Sequence, residues 1–513
     1  MDGIEKGAPV KELIYPRLFL AAAERHGSRA AIHDGAYTAT FGEHAERALR
    51  LTNALGSGLG LDSTDRFAVV ALNGHRYIEL YHAAFLGGAV INPVNYRLAD
   101  PEMAHVLRHS GARVVFVDAA FSQRVRTIVD AGGTAIERVV SLEDDYEDLL
   151  ASGKDVVPTE PDEDSLPMLM YTGGTTGMPK GVASTQRAQM LNLYHLATVQ
   201  GLAFSEDAVY LHHMPMFHSM GANAALSAAA FGTEATVIPA FEPGAFMTAV
   251  AKHGVTETVL VPTMIAMILR HAEYAPDRLS SLKRIGYGGM AMPHALLAKL
   301  QESSPDIELL QGYGMTEACP TLTFLTAEDH RRGEDKRHSV GRPLPGVDVA
   351  VFDEGGNRLP TGEVGEVCAR GGNIMTGYWN DPDATAKVFR DGWYLTGDLG
   401  RFDEDGYLYL VDRVDDMIVT GGENVYSIEV ENALTTCPGV VQVAVIGVPD
   451  DVWGKRVHGI VVLAPDVAVT EEQLAAHARQ TIAGYKVPKS WELRTEPLPV
   501  SGAGKPLKRE LRP

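Results

Sequence analysis

A chain of 513 residues is too long for one compact core, so two or more domains are expected. Its formal charge of −21, from 45 basic against 66 acidic residues, excludes non-specific binding to nucleic acid or to an anionic membrane surface. It leaves room for an anionic ligand, because a phosphate site needs only a few local cations and backbone N–H groups.

In chain order, the opening MDGIEKGAPV has no basic-then-apolar leader, and no stretch reaches the roughly 18 uninterrupted apolar residues that span a bilayer. Cys319, Cys368 and Cys437 stand far apart without CxxC spacing, a pattern that suits a reducing compartment and gives neither a disulfide framework nor a structural zinc site. The expected location is the cytoplasm. From residue 41 onward, helical patterns at 43–55, 77–86 and 101–109 alternate with apolar runs at 67–72, 89–94 and 113–117. Short continuous apolar runs between amphipathic helices predict strands covered on both faces, hence a mainly parallel α/β architecture. The alternation resumes after Leu166 and continues to about residue 310; the small-residue stretch 222–240, which carries Asn223 and Glu234, reads as buried core. After Gly341 the character changes. Glycine and turn residues crowd the interval to 406, with short alternating strands at 349–353 and 365–370 that predict a small antiparallel barrel or sheet. Past Asp412, a helix at 427–436, strands at 441–448 and 457–463, a helix at 471–483 and a strand at 491–495 form an α+β unit of domain size. The expected division is a large domain over 1–412 and a small one over 413–513.

The segment YTGGTTGMPKG at 171–181 follows the apolar strand 166–170 and precedes a helix expected near Ser184. Seven of its ten positions from 172 to 181 are Gly or Thr. Gly173, Gly174 and Gly177 let backbone N–H groups approach an anion, Thr172, Thr175 and Thr176 add hydroxyl donors, and Lys180 adds positive charge. The spacing does not fit GxxxxGK[ST], so this phosphate loop is of another design than Walker A. A lone Gly-rich tripeptide would read as a surface turn; this density does not.

The segment resembles the signature loop of the adenylate-forming superfamily, which includes acyl-CoA synthetases, aryl-CoA ligases, luciferases and peptide-synthetase adenylation domains. Five further motifs appear in the family's order: GYGGM at 286–290, QGYGMTEA at 311–318, GWYLTGD at 392–398, DRVDDMIVTGGENVYSIEVE at 412–431 and SGAGKPLKREL at 501–511. The resemblance runs from about Tyr37 to the end of the chain. It implies that ATP and Mg²⁺ drive formation of an acyl-adenylate, whose acyl group then passes to coenzyme A. Gly288, Gly289 and Met290 would lie on the adenine side, with Gln311, Gly312, Tyr313, Gly314 and Met315; Asp398 and Arg413 would hold the ribose. Thr316 would meet the α-phosphate, and Glu317 would hold Mg²⁺, which prefers hard oxygen ligands. Lys505 would supply the fixed positive charge that adenylation requires, in a segment, 486–512, carrying seven Lys or Arg against three Glu.

By the same resemblance the small domain swings about a hinge at Asp415, bringing Gly421, Gly422 and Glu423 to the pantetheine tunnel. Two positions depart from the common pattern: Gly173 replaces a more frequent serine, and Ser427 replaces a proline, where serine is itself a good helix cap. His212, His213 and His218 cluster in LHHMPMFHSMG, yet no acidic or cysteine partner sits at metal-ligand spacing. The resemblance places His218 at the mouth of the acyl pocket instead, with Met220, Gly221, Ala222, Tyr287, Met290 and Cys319. Those residues are apolar or small, which favours a monocarboxylic acid with an apolar tail. A fatty acid of medium or long chain leads, with a hydroxycinnamate-like aromatic acid or delivery to a carrier protein as alternatives. Amino-acid activation is disfavoured, since peptide-synthetase domains place an aspartate where His218 stands. Luciferase-type oxidation has no specific support, and a non-catalytic scaffold would not keep Lys505, Glu317 and Asp398 together. The sequence leaves room for a homodimer.

Overall fold

The computed structural model describes residues 12–512 other than 155, 173–177, 200–203, 291, 334, 451, 466 and 501–505. Two sheets organise the large N-terminal part. In one, seven strands run in the order Gly377–Tyr378, Lys180–Ser184, Met168–Thr172, Val90–Pro93, Arg66–Val70, Val114–Val117 and Arg138–Ser141. The four strands from Val90–Pro93 to Arg138–Ser141 are parallel, and Val114–Val117 is buried at every residue, as an unbroken apolar run requires. The second sheet has nine strands, of which the six from Glu308–Tyr313 through Arg284–Gly288, Glu257–Leu260, Val209–His212 and Glu234–Val237 to Ala30–Asp34 are parallel.

Between them lies the helix Ser219–Ala230. Its small residues Ala222, Ala225 and Ala229, with Leu226, join the core that holds Phe67, Phe85, Phe116 and Met168. A five-stranded antiparallel sheet built on Val347–Phe352, Gly365–Gly371, Trp393–Phe402, Phe389–Arg390 and Leu408–Arg413 shares a core with Leu310, Tyr313 and Leu322, so it sits at the edge of the nine-stranded sheet. After residue 417 the chain builds apolar cores of its own, with a hairpin, the helix Ser427–Thr435, the strands Val440–Asp450, Gly454–Leu463 and Ser490–Arg494, and the helix Glu471–Ala478. The architecture is a large N-terminal α/β domain and a smaller α+β domain.

Most predicted elements fall within three residues of those observed, the usual scatter of element ends. Two differ more. The helix expected over 471–483 stops at Ala478, where the following amides turn back onto His477 and Ala478. The helix expected near Ser184 is preceded by a strand: Lys180–Ser184 pairs antiparallel with Met168–Thr172, putting Thr172 opposite Lys180, and the helix begins only at Gln186, capped by Thr185. The Gly/Thr segment therefore connects two strands of one hairpin.

Candidate active site

The parallel strands Arg284–Gly288 and Glu308–Tyr313 end side by side at one cleft, the place where open α/β sheets bind ligands. Their ends require glycine. A Cβ on Gly288 would lie 2.4 Å from the Gly312 carbonyl oxygen, and one on Gly314 would lie 2.0 Å from that of Pro320. Gly289, Met290, Gln311, Gly312, Tyr313 and Met315 line the same cleft, which is continuous and holds about 2150 Å³.

One wall carries a fixed carboxylate. Antiparallel pairing sets Asp398 opposite Arg413, whose Nε lies 2.9 Å from Asp398 Oδ1, while the Tyr313 hydroxyl donates to Oδ2 at 2.7 Å. Burial works most strongly against the Arg413 charge, but Asp398, Tyr313, Asp416 and Tyr394 together outweigh it and keep the guanidinium protonated. Burial, then Asp398, push the Tyr313 phenol well above its ordinary range. A buried carboxylate held at both oxygens keeps lone pairs for further donors, such as two adjacent hydroxyls.

A second array lies beyond Tyr313. Thr316 opens a short turn of helix with its Oγ1 3.5 Å from Ser219 Oγ, and the next residue, Glu317, is buried on the cleft wall. The Tyr378 hydroxyl donates to Glu317 Oε1 at 3.0 Å, and Lys180 Nζ stands 5.0 Å from the Tyr378 ring centroid. Burial raises the Glu317 pKa; the Tyr378 hydrogen bond and the charges of Arg413 and Lys180 pull the other way. Among the described residues no three His, Cys, Asp or Glu side chains converge on a point, so a cation here would take one carboxylate and complete its shell with water and phosphate oxygens, as Mg²⁺ commonly does. Thr172 and Lys180 line this end of the cleft. Gly173, Gly174, Thr175, Thr176, Gly177 and Lys505 lie outside the described residues.

The remaining lobe runs along the helix Ser219–Ala230. His218 caps it, its Nδ1 accepting from the Met220 amide at 3.4 Å, which leaves the ring proton on Nε2. Burial lowers the His218 pKa to about 4, so the ring is neutral. Met220, Tyr287 and Met290 line this lobe. The Tyr287 hydroxyl is already engaged: it donates to His330 Nε2 at 2.9 Å, and His330 Nδ1 donates to the Thr326 carbonyl at 2.8 Å. Three expected pocket residues face elsewhere. Ala222 turns into the core, Gly221 packs on the Pro215 carbonyl, and Cys319 is buried beneath the turn, its thiol pushed up to about 12 by burial. His212 and His213 are core residues packed against Tyr210, and against Phe241 and Phe246, respectively.

Asp415 lines the cleft where the large part gives way to the small one, and its carbonyl accepts from Arg512 Nη2 at 3.0 Å. Gly421 and Gly422 form the two-residue turn of the hairpin Ile418–Thr420 with Glu423–Val425, both at positive φ, and with the exposed Glu423 they lie away from the cleft lining. Ser427 is no cap. It is the first residue of its helix; its N–H and hydroxyl both donate to the buried Asp412 carboxylate, the hydroxyl at 2.9 Å, and Lys508 Nζ donates to its Oγ at 2.6 Å. Sequence reasoning missed Tyr378 and Ser219. Tyr378 lies 61 positions from Glu317 in TGYWN, and only the pairing of Gly377–Tyr378 with Lys180–Ser184 brings it across.

The AMP-binding enzyme family profile matches residues 19–379, and that of the AMP-binding enzyme C-terminal domain matches 429–505. A feruloyl-CoA synthase of an Amycolatopsis species is 39% identical over 498 residues, covering 96% of this chain and 95% of that protein. A long-chain-fatty-acid–CoA ligase of Mycobacterium tuberculosis is 34% identical over 459 residues, 89% of each. The crystal structure of ATP-bound MatB from Rhodopseudomonas palustris superposes with a TM-score of 0.87 at 28% identity, covering 96% of this chain and 98% of that one.

Proposed function

Because the chain belongs to the AMP-binding enzyme family, we propose that its cleft joins a monocarboxylic acid to ATP and then to coenzyme A with the division of labour set out below. It is an AMP-forming acid–CoA ligase that uses ATP, Mg²⁺ and coenzyme A. The acid's carboxylate attacks the α-phosphorus, pyrophosphate leaves, and the thiol of CoA displaces AMP from the mixed anhydride.

The observation that carries the assignment of roles is the pair of arrays on one wall of one cleft. Asp398, clamped by Arg413 and Tyr313, takes the ribose hydroxyls. Glu317, oriented by Tyr378, holds Mg²⁺, which when bound offsets phosphate charge, and Thr316 donates to the α-phosphate. The 172–177 loop and Lys180 hold the phosphates that depart, while Lys505 stabilises charge developing on the α-phosphate. Neutral His218 offers its Nε2 proton to the incoming carboxylate. The hinge is assigned to Asp415, dividing 1–412 from 413–513; the separate apolar cores after residue 417 support it. No helix among the described residues is long and apolar enough to cross a membrane, and we assign the enzyme to the cytoplasm.

Pyrophosphate release should require a carboxylic acid, and acyl-CoA should appear only when free CoA is added. A screen of aliphatic and aromatic acids, with and without CoA, checks both. AMP release indifferent to CoA with every acid would overturn the thioester assignment.

A further inference from the structure

The acyl lobe is bordered by a polar group that an alkyl chain would leave stranded. Met220, Asn223, Ala224 and Ser227 recur at helical spacing and all line the cleft, while Ala222, Ala225, Leu226 and Ala229 on the other side of the helix form core. Ser227 is 1% exposed, and its Oγ has no hydrogen-bond partner. A turn above it, Asn223 Oδ1 accepts from Asn192 Nδ2 at 2.7 Å and Asn223 Nδ2 donates to the Ser219 carbonyl, so Asn223 is satisfied at both ends, while Asn192 Oδ1, on the neighbouring helix and not on the cleft wall, has no partner. A buried hydroxyl without a partner is costly, and a ligand that supplies one is correspondingly favoured.

Depth decides what that ligand is. Ser219, whose hydroxyl faces Thr316, marks the carboxylate end of the lobe. Ser227 lies eight residues further along the helix, about 12 Å at 1.5 Å per residue. That is roughly the span of a three-carbon acid side arm, an aromatic ring and one hydrogen bond. Resting on the acid-activation reading above, we propose that Ser227 is a specificity residue whose hydroxyl hydrogen-bonds a ring oxygen, and that the substrate is a phenylpropenoic-type aromatic acid hydroxylated at the position remote from its carboxylate. A saturated chain of similar length would reach the same depth and leave Ser227 unpaired.

The experiment compares 4-hydroxycinnamate, cinnamate and decanoate in pyrophosphate release with CoA present, for the wild-type enzyme and for Ser227→Ala. The wild type should favour 4-hydroxycinnamate over cinnamate by tenfold or more in kcat/KM. Ser227→Ala should lose most of that ratio, chiefly through KM, while cinnamate and decanoate are turned over as well as before or better. Preference of the wild type for decanoate, a hydroxyl-blind wild type, or an equal fall on all three acids in the variant would each overturn the proposal. Absence of pyrophosphate with every acid would instead overturn the activation reading, and this proposal with it.

Discussion

In the metal-holding role proposed for it, the buried Glu317 sets the acid side of the working pH. A protonated carboxyl cannot serve as a cation ligand, so adenylation should fall as pH drops through the Glu317 pKa. Burial raises that pKa, and the acid limb of kcat/KM should therefore lie above the ordinary carboxylate range. The Tyr378 hydroxyl donates to the ionised form and lowers the pKa, so Tyr378→Phe should move the limb to still higher pH. Glu317→Gln should slow pyrophosphate release by roughly a hundredfold or more at every pH. A pH profile of pyrophosphate release reads both; a limb that stays put in Tyr378→Phe would break the link between these residues. Residues of this array differ in how openly the sequence displays them. Tyr313, Glu317 and Asp398 sit in motifs whose glycines announce close approach, whereas Tyr378 acquires its role only through pairing with a strand nearly 200 positions earlier.

At the scale of elements, local signals carried well and pairing did not. Periodicity located the parallel strands and their helices because each apolar run is covered on both faces. It could not show that Lys180–Ser184 folds back on Met168–Thr172, since KGVAS is buried at four of its five residues and shows no alternation. Nor could it tell which face of Ser219–Ala230 borders the cleft, because small apolar residues surround that helix. Ser427 repeats the lesson, since a helix-capping role was the local expectation and a tertiary one is observed. Its hydroxyl bridges Asp412 and Lys508, and Lys508 also pairs with Glu431 at 2.7 Å. A proline at this position would remove both the hydroxyl and the N–H that reach Asp412. Ser427→Ala should therefore cost the small domain about 1–2 kcal/mol, and Ser427→Pro more, with Asp412 then buried and short of donors. Urea unfolding followed through Trp453 and Trp491, which both belong to the small domain, measures the order; a proline variant as stable as the wild type would refute it.

The whole molecule faces a problem of access that neither domain solves alone. On the roles proposed above, adenylation needs Lys505 against the α-phosphate, and thioester formation needs the same approach free for a thiol. The hairpin bearing Gly421 and Gly422 lies away from the cleft lining in the arrangement described, so a second arrangement must present it if the pantetheine is to pass there. Two variants should then separate the half-reactions in opposite directions. Lys505→Ala should slow acyl-adenylate formation by several orders of magnitude while a pre-formed acyl-adenylate still reacts with CoA. Gly421 has φ +58° and a Cβ there would sit 2.5 Å from the Trp453 ring, so Gly421→Ala must displace that ring or the turn. It should leave pyrophosphate release near wild type and slow CoA-dependent consumption of the adenylate by tenfold or more, because the change falls on the hairpin rather than on the nucleotide site. Single-turnover assays of each step, with isolated acyl-adenylate for the second, give the two ratios. If each variant depresses both steps equally, one fixed arrangement serves both reactions and the swing about Asp415 is unnecessary. If the losses cross, the small domain works with one face for each chemical step.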